Sequence, residues 1–417
     1  MRRLQVSDYG AAVSPLATLA IALTGASVVL YGAMMSIFVV ARRRARDRLR
    51  EGRRARAFAP NKAGPRVTVF KPLAGYDDDL EENLESFARL DYPDFEILIG
   101  VAAGADPALP LAHRFAARHR DLRIRIVSTD PDAARNPKVA QLLGLETVAT
   151  GEIYVISDSN VRVEPDYLWP LVNELADDRV GIVSNVFAGT GEQTAGAAIE
   201  NLQLCAATTA GIVAMGVATG RVLTVGKSMA VRRRSLGAIG GFRSVGEVLA
   251  EDHLLGRRFL EAGFEPRMCL SVVENRNVAG SIRRSFERHT RWAKLRRSLD
   301  PRAFAAEPIL CPIVIASIAV AFSPSPLSAG LYAAIVIGQT ACALTAMRVL
   351  RGHALRARYW PLEVVRSYVV LFCWIRACFS RRIDWRGHSF ELGPGSVIVR
   401  SPAGPSRTPH GAPTEQR

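Results

Sequence analysis

The run Tyr154-Val155-Ile156-Ser157 favours extended structure and stops abruptly at Asp158-Ser159-Asn160. Such a run reads as a buried strand that delivers a carboxylate to the carboxyl edge of a sheet, where ligands bind in open α/β sheets. Asp158 and the amide oxygen of Asn160 can hold a hard divalent ion, which completes its shell with phosphate oxygens and water. Taken alone, the segment is equally consistent with an aspartate capping the next turn. Two more acidic positions join it. Asp106 follows a second apolar run, Phe95 to Val101, and Glu251-Asp252 precede the helical spacing of Leu254 to Ala262, where acids also suit the positive end of a helix. Arg288-x-x-Arg291-Trp292 is trailed by Lys294, Arg296 and Arg297. Guanidinium forks match phosphate oxygens, while a basic run beside apolar sequence also suits a lipid-facing surface.

These residues need elements to position them. Strand-like runs at 66–73, 95–101, 123–127 and before Asp158 alternate with helical spacing at 80–90, 111–119 and 139–149. That alternation implies right-handed crossovers and a mostly parallel sheet. The order resembles a Rossmann-like nucleotide fold, but no GxGxxG fingerprint follows the first strand, which argues against a nicotinamide-dependent enzyme. Residues 195–218 are small, apolar and poor in charge, and read as a core helix or as a face open to the membrane.

The flanks are apolar. Leu16 to Ala41 contains no charged residue and exceeds the roughly 20 residues needed to cross a bilayer. It ends in arginines rather than small residues, so residues 14–41 read as an uncleaved transmembrane anchor. The basic linker 42–65 places the following domain, 66–300, in the cytoplasm by the positive-inside rule. Residues 308–348 form a two-helix membrane hairpin broken at Pro324-Ser325-Pro326, with Arg348, Arg351, Arg356 and Arg358 on the cytoplasmic side. Residues 360–392, carrying Glu363, Arg366 and Arg376, read as interfacial or re-entrant, and 402–417 as a disordered tail. The net charge of the 417-residue chain is +15. Much of the arginine sits directly after the apolar run, which favours a membrane surface. No zinc-knuckle spacing, helix-turn-helix or aromatic-basic interleaving points to a nucleic acid polymer. Six scattered cysteines without paired spacing suit reduced thiols.

In order along the chain, Lys71-Pro72-Leu73, Asp106, Asn136-Pro137-Lys138, Asp158-Ser159-Asn160, Glu251-Asp252 and Arg288-x-x-Arg291-Trp292 resemble the D, D, D, (Q/R)xxRW series of processive-type GT-A glycosyltransferases. The closest resemblance is to glycosyltransferase family 21, whose members include ceramide glucosyltransferases. Glu82-Asn83-Leu84-Glu85-Ser86-Phe87, Asp91-Tyr92-Pro93 and Arg162-Val163 to Pro165-Asp166 resemble that branch, and Asp384-Trp385-Arg386-Gly387 resembles the tail of membrane glycosyltransferases. Two departures stand out: Asn160 replaces the second carboxylate of a DxD motif, and Asp106 follows alanines where relatives carry acidic or polar residues.

The resemblance implies a GT-A fold, Rossmann-like with a mostly parallel sheet, in a cytosolic domain flanked by transmembrane helices. It implies a multi-pass protein of the cell membrane, with its catalytic domain cytoplasmic. By it, the chain is an inverting, metal-dependent transferase that moves glucose from UDP-glucose to the primary hydroxyl of ceramide or a similar membrane lipid. Asp252 would be the general base, with Glu251 beside it orienting it or raising its pKa. Lys71, Asp106, Lys138, Asp158, Arg288, Arg291 and Trp292 would bind the donor. Asp158 and Asn160 would hold a divalent metal ion, Mg or Mn. Glu251 also fits a solvated helix start, and Trp292 an interfacial aromatic. Other readings are a hopanoid-associated N-acetylhexosaminyl transferase, a polysaccharide synthase, and a nucleotide-sugar-binding membrane protein without turnover.

Overall fold

The computed structural model describes residues 14–57, 63–104, 106–385 and 388–400. The expected disordered tail, 402–417, lies outside the described residues, as do Arg386 and Gly387 of the tail motif.

A long helix, α1 (Pro15–Ala57), leads into β1 (Val67–Leu73). Helices α2 (Leu80–Ala88), α3 (Leu109–Arg118) and α4 (Pro137–Glu146) then alternate with β2 (Phe95–Ala102), β3 (Ile124–Thr129) and β4 (Ile153–Ser157). Next come β5 (Val161–Arg162), α5 (Leu168–Leu175) and β6 (Val180–Thr190). The sheet order is β3-β2-β1-β4, all parallel, continued by β7 (Ser228–Arg232) antiparallel to both β4 and β6. Strand β8 (Glu265–Arg276) then pairs parallel to β6, and β5 closes the edge antiparallel to β8.

The period-two alternation of the strands divides the core. Val67, Val69, Ile97, Ile99 and Val155 meet α2, α3 and α5 through Leu84, Phe87, Phe115 and Leu171 on one face. Phe70, Leu98, Tyr154 and Ile156 point the other way, toward Leu142 and Leu145 of α4. With them pack Leu236 of α8 (Arg233–Ala238) and Phe259 of α9 (Glu251–Glu261). Burial of both faces explains the near-continuous apolar reading of β1, β2 and β4.

A third cluster joins this domain to the apolar helices. Tyr31, Met35 and Phe38 of α1 pack with Val186 and Ala188 of β6, α6 (Ala195–Leu202) and α7 (Ala210–Thr219). A π-helical stretch, Gln203–Thr209, links α6 to α7. Beyond α10 (Ile282–Leu299) and α11 (Pro301–Ala306), α12 (Pro312–Phe322) and α13 (Pro326–Arg351) pack against each other on either side of Pro324, followed by α14 (Leu362–Phe379). Among the described residues, three helical runs are long and apolar enough to cross a membrane, in α1, across α6 to α7, and in α13. Their outer sides carry bare apolar groups: Val29 is 69% exposed and Leu327 73%. Residues 195–218, expected as core or as membrane face, are both: Ala198 is buried and Val217 is exposed.

Three expectations about the basic and terminal segments change. Residues 42–57 continue α1 rather than forming a linker, because arginine and alanine are strong helix formers and no proline intervenes. Glu363 and Arg366, read as interfacial, are buried, paired with each other at 2.5 Å and bonded to Gln339 and Gln203 on neighbouring helical segments. A charge is tolerated in the interior where it is paired and hydrogen-bonded. Lys294 and Arg297 do not face lipid either. Lys294 donates to Ser380 Oγ at 3.1 Å and to the Arg382 carbonyl, and Arg297 donates to the Ala377 carbonyl at 2.7 Å. They tie α10 to α14 and to the terminal sheet of β9 (Arg382–Trp385), β10 (His388–Leu392) and β11 (Ile398–Arg400).

Candidate active site

A cavity of about 360 Å³ opens at the carboxyl ends of β1 and β4. Strand β4 ends at Ser157, so the next residue, Asp158, is delivered to that edge. The antiparallel register Ser157↔Ser228 places Lys227 beside it, and Asp158 N–H donates to the Lys227 carbonyl at 3.2 Å. Lys138 Nζ lies 2.8 Å from Asp158 Oδ1, and Lys227 Nζ lies 3.0 Å from Oδ2. Burial alone would raise the Asp158 pKa, but these two ammonium groups hold it well below the usual carboxylate range.

Lys138 sits in the first turn of α4 because Asn136 caps that helix, its side chain accepting from Lys138 N–H at 2.9 Å, with Pro137 at the first helical position. The Asn136 amide also donates to the Val248 carbonyl at 2.9 Å and to Glu251 Oε2 at 3.2 Å. One asparagine thereby fixes the starts of both α4 and α9. Lys138 Nζ further contacts Glu251 Oε1 at 3.1 Å and the Gly226 carbonyl at 2.9 Å. The Asp252 carboxylate accepts from Gly226 N–H at 2.6 Å and His253 N–H at 2.8 Å. Burial raises the pKa of both Glu251 and Asp252 against the pull of Lys138, and the Asp158 charge adds to the rise.

The terminal sheet braces this acid pair. Leu249 N–H donates to the Ser396 carbonyl at 2.9 Å, Ala250 N–H to Ser396 Oγ at 3.2 Å, and Ile398 N–H to the Glu247 carbonyl at 2.9 Å. Leu249 packs with Ile383, Phe390, Leu392 and Ile398. The loop before Glu251 is therefore held from the far end of the chain.

Helix α10 supplies the opposite wall. Arg288, Arg291, Trp292, Leu295 and Leu299 recur at helical spacing and all line the cavity. The wall begins basic and ends apolar. Ile212 of α7 and Thr208 of the π-helical stretch face the apolar end, and such π-bulges are frequent at functional sites. Arg288 Nη1 is held by Glu200 Oε1 at 3.2 Å and by Asn277 Oδ1 at 2.9 Å, while Glu200 Oε2 accepts from Ser285 Oγ at 3.0 Å.

Of the ten residues singled out in the sequence, Lys138, Asp158, Asn160, Glu251, Asp252, Arg288, Arg291 and Trp292 line this one cavity. Lys71 and Asp106 lie outside its lining. Lys71 is buried below the Asp158 turn, donating to the Asp158 carbonyl at 2.6 Å and standing 4.2 Å from the centre of the Phe87 ring. Burial lowers its pKa to about 7, against the opposing effect of Asp158. The Asp106 carboxylate accepts from Gly75 N–H at 3.1 Å and Ala108 N–H at 2.8 Å, and so shapes the loop after β1. That loop brings in Asp77, which lines the cavity and accepts from Ser159 Oγ. Asp77, Lys227 and Glu200 were not singled out. The acidic triplet Asp77-Asp78-Asp79 after a strand was a usable signal, whereas Lys227 and Glu200 depend on strand register and helix packing.

Asp158 and Asn160 fit a cation. Lys227 Nζ already stands between them, 3.0 Å from Asp158 Oδ2 and 3.1 Å from Asn160 Oδ1, an ammonium in the place such an ion would take. Among the described residues, no group of three or more His, Cys, Asp or Glu side chains could enclose a metal. Two protein oxygens suit an ion that takes its other ligands from phosphate and water.

The model of glycosyl transferase family 21 matches residues 27–398. Ceramide glucosyltransferase 1 of Caenorhabditis elegans is 25% identical over 350 residues, which is 82% of this chain and 75% of that protein. The ceramide glucosyltransferase of Komagataella phaffii is 36% identical over a shorter stretch of 101 residues, 23% of this chain and 20% of that protein. Among solved structures, the mannosyltransferase PcManGT of Pyrobaculum calidifontis, in complex with GDP-Man and Mn2+, superposes with a TM-score of 0.52 at 22% identity, covering 87% of this chain and 99% of that one. That likeness shows a GT-A-type fold, in line with the alternating strands and helices. With the family match spanning most of its length, the chain belongs to glycosyl transferase family 21.

Proposed function

We propose that this protein transfers glucose from UDP-glucose to the primary hydroxyl of ceramide or a similar membrane lipid, with inversion, on the cytoplasmic face of a membrane it crosses more than once. The observation that carries the reading is a single cavity lined by both Asp158 and Asp252, with a wall that runs from basic to apolar along α10. The relatives named ceramide glucosyltransferase support the donor and acceptor class.

The chemistry follows from where charge moves. As the anomeric carbon leaves the diphosphate, the electrons of the breaking C–O bond pass to phosphate oxygen. Lys138, Lys227, Arg288 and Arg291 supply positive charge on that side. Asp158 and Asn160 would hold a divalent ion, Mg or Mn, which when bound supplies Lewis-acid charge to a leaving diphosphate. On the other side the lipid hydroxyl attacks and loses its proton to Asp252. Gly226 and His253 N–H groups orient that carboxylate, and its raised pKa makes it a stronger base than an ordinary aspartate. A single displacement with one base inverts the anomeric centre. Trp292, edge-on to His289 with ring centres 5.4 Å apart, offers a flat apolar surface to the sugar. Leu295, Leu299 and Ile212 offer apolar surface to an acyl chain.

The test is to incubate membranes containing the full chain with a panel of UDP-sugars and lipid alcohols, with products read by mass spectrometry. A β-glucosylated lipid formed from UDP-glucose is the expected product. Transfer of another sugar, or none with any lipid, would reject the assignment.

A further inference from the structure

Lys227 lines the cavity beside Asp158 and Asn160. The β4–β7 register sets its ammonium against Asp158 Oδ2 at 3.0 Å and Asn160 Oδ1 at 3.1 Å. Lys138 takes the other Asp158 oxygen at 2.8 Å. Both oxygens of the carboxylate are therefore engaged by ammonium groups. A divalent ion entering alone must compete for the Lys227 seat with a charge of the same sign, tethered at high local concentration. A diphosphate changes the balance. It brings the negative charge that the two cations lack, and a lysine on a flexible four-carbon stem can turn from carboxylate to phosphate without leaving the cavity.

We infer that Lys227 is the resident counter-ion of the donor site. It holds the seat between Asp158 and Asn160 until a nucleoside diphosphate arrives, cedes that seat to a divalent ion, and then pairs with phosphate oxygen. The inference rests on the proposed donor-binding role of Asp158. It makes metal and nucleotide binding mutually dependent: each raises the affinity of the other by the same factor, of the order of 5- to 150-fold for couplings of this kind.

The experiment uses the full chain in detergent, with Mn2+ titrated in the presence and absence of UDP and the free ion followed by electron paramagnetic resonance. Wild type should bind Mn2+ weakly alone and markedly tighter with UDP. Lys227→Met, which keeps the stem and removes the charge, should bind Mn2+ alone about tenfold tighter and lose most of the enhancement by UDP. Lys227→Arg, which keeps the charge, should stay near wild type. Unchanged or weaker Mn2+ binding by a folded Lys227→Met protein would overturn the inference. So would independent binding of Mn2+ and UDP by wild type, a result that needs no variant. Either outcome leaves the transferase reading standing, whereas a wild-type protein that ignored UDP at every Mn2+ concentration would overturn both.

Discussion

At the scale of the residue, the site turns on two carboxylates that experience opposite fields. Asp158 lies between two ammonium groups and stays ionised, while Asp252, half-buried and near another carboxylate, is raised by desolvation. Replacing Asp252 with Asn keeps the shape and removes the base. Transfer should fall by about 10²- to 10⁴-fold while UDP affinity, measured by calorimetry, changes little. The pH profile follows from the sign of the shift. The base works only when deprotonated, so activity is lost as pH falls through a pKa raised above the usual aspartate value of about 4, and the acid limb of kcat/KM should lie above that value in wild type. An acid limb at or below it would contradict the assignment of Asp252. Gly226 is the second sensitive point: a Cβ there would lie 2.9 Å from Lys138 Nζ and 3.1 Å from Asp252 Oδ2. Lys138 is pinned by Asp158, Glu251 and the Gly226 carbonyl and has little room to retreat. Gly226→Ala should therefore lower kcat by about tenfold or more with the fold intact by circular dichroism, since small displacements of reacting groups are costly. Asp158 was legible from its place after a strand-like run and Asp252 from its place at the start of a helical one. The identity of the groups that tune them was not, because Lys227 and Gly226 meet Asp158 and Asp252 across 69 and 26 residues of chain.

At the scale of the element, α10 does two jobs that its sequence shows as one basic run. Arg288, Arg291 and Trp292 turn to the cavity, whereas Lys294 and Arg297 anchor α14 and the terminal sheet. The split follows from helical geometry: at 3.6 residues per turn, Lys294 and Arg297, two and five positions beyond Trp292, fall on the far side of the helix from it. Helix α6 locks the arginine wall through Glu200, which is buried and bonded to Arg288 and Ser285. Glu200→Gln keeps one acceptor and loses the charge. The expected result is a rise of about tenfold in donor KM with a smaller change in kcat, the mark of an arginine that binds donor and transition state alike. Equal loss of kcat and kcat/KM would instead place Arg288 in the transition state alone. The sequence past the tail motif carried no sign of its use: Ser396, in the turn before β11, braces Leu249 and Ala250 ahead of the acid pair, a contact visible only once the terminal sheet is packed against that loop.

At the scale of the whole molecule, the apolar helices are built into the domain rather than appended to it. Arg351, expected to mark the cytoplasmic end of the hairpin, grips Glu192 through two hydrogen bonds of 2.8 Å and the Gly189 carbonyl at 2.9 Å, with its side chain 2% exposed. Arg351→Met would strand Glu192 as a buried, unpaired charge, at a cost of about 3–5 kcal/mol. Thermal unfolding of the detergent-solubilised chain should shift down accordingly, and an unchanged midpoint would show that the contact carries no stability. The sequence by itself determined the alternating strands and helices, the apolar spans and the order of acidic and basic motifs, because each is a local pattern written in period two, period 3.6 or simple length. Tertiary structure alone decided that Lys227 neutralises Asp158, that Glu200 holds Arg288, and that Lys294, Arg297 and Arg351 are structural ties. Those outcomes depend on which distant segments register together once the core is packed, and a buried charge takes whatever partner that packing brings within reach.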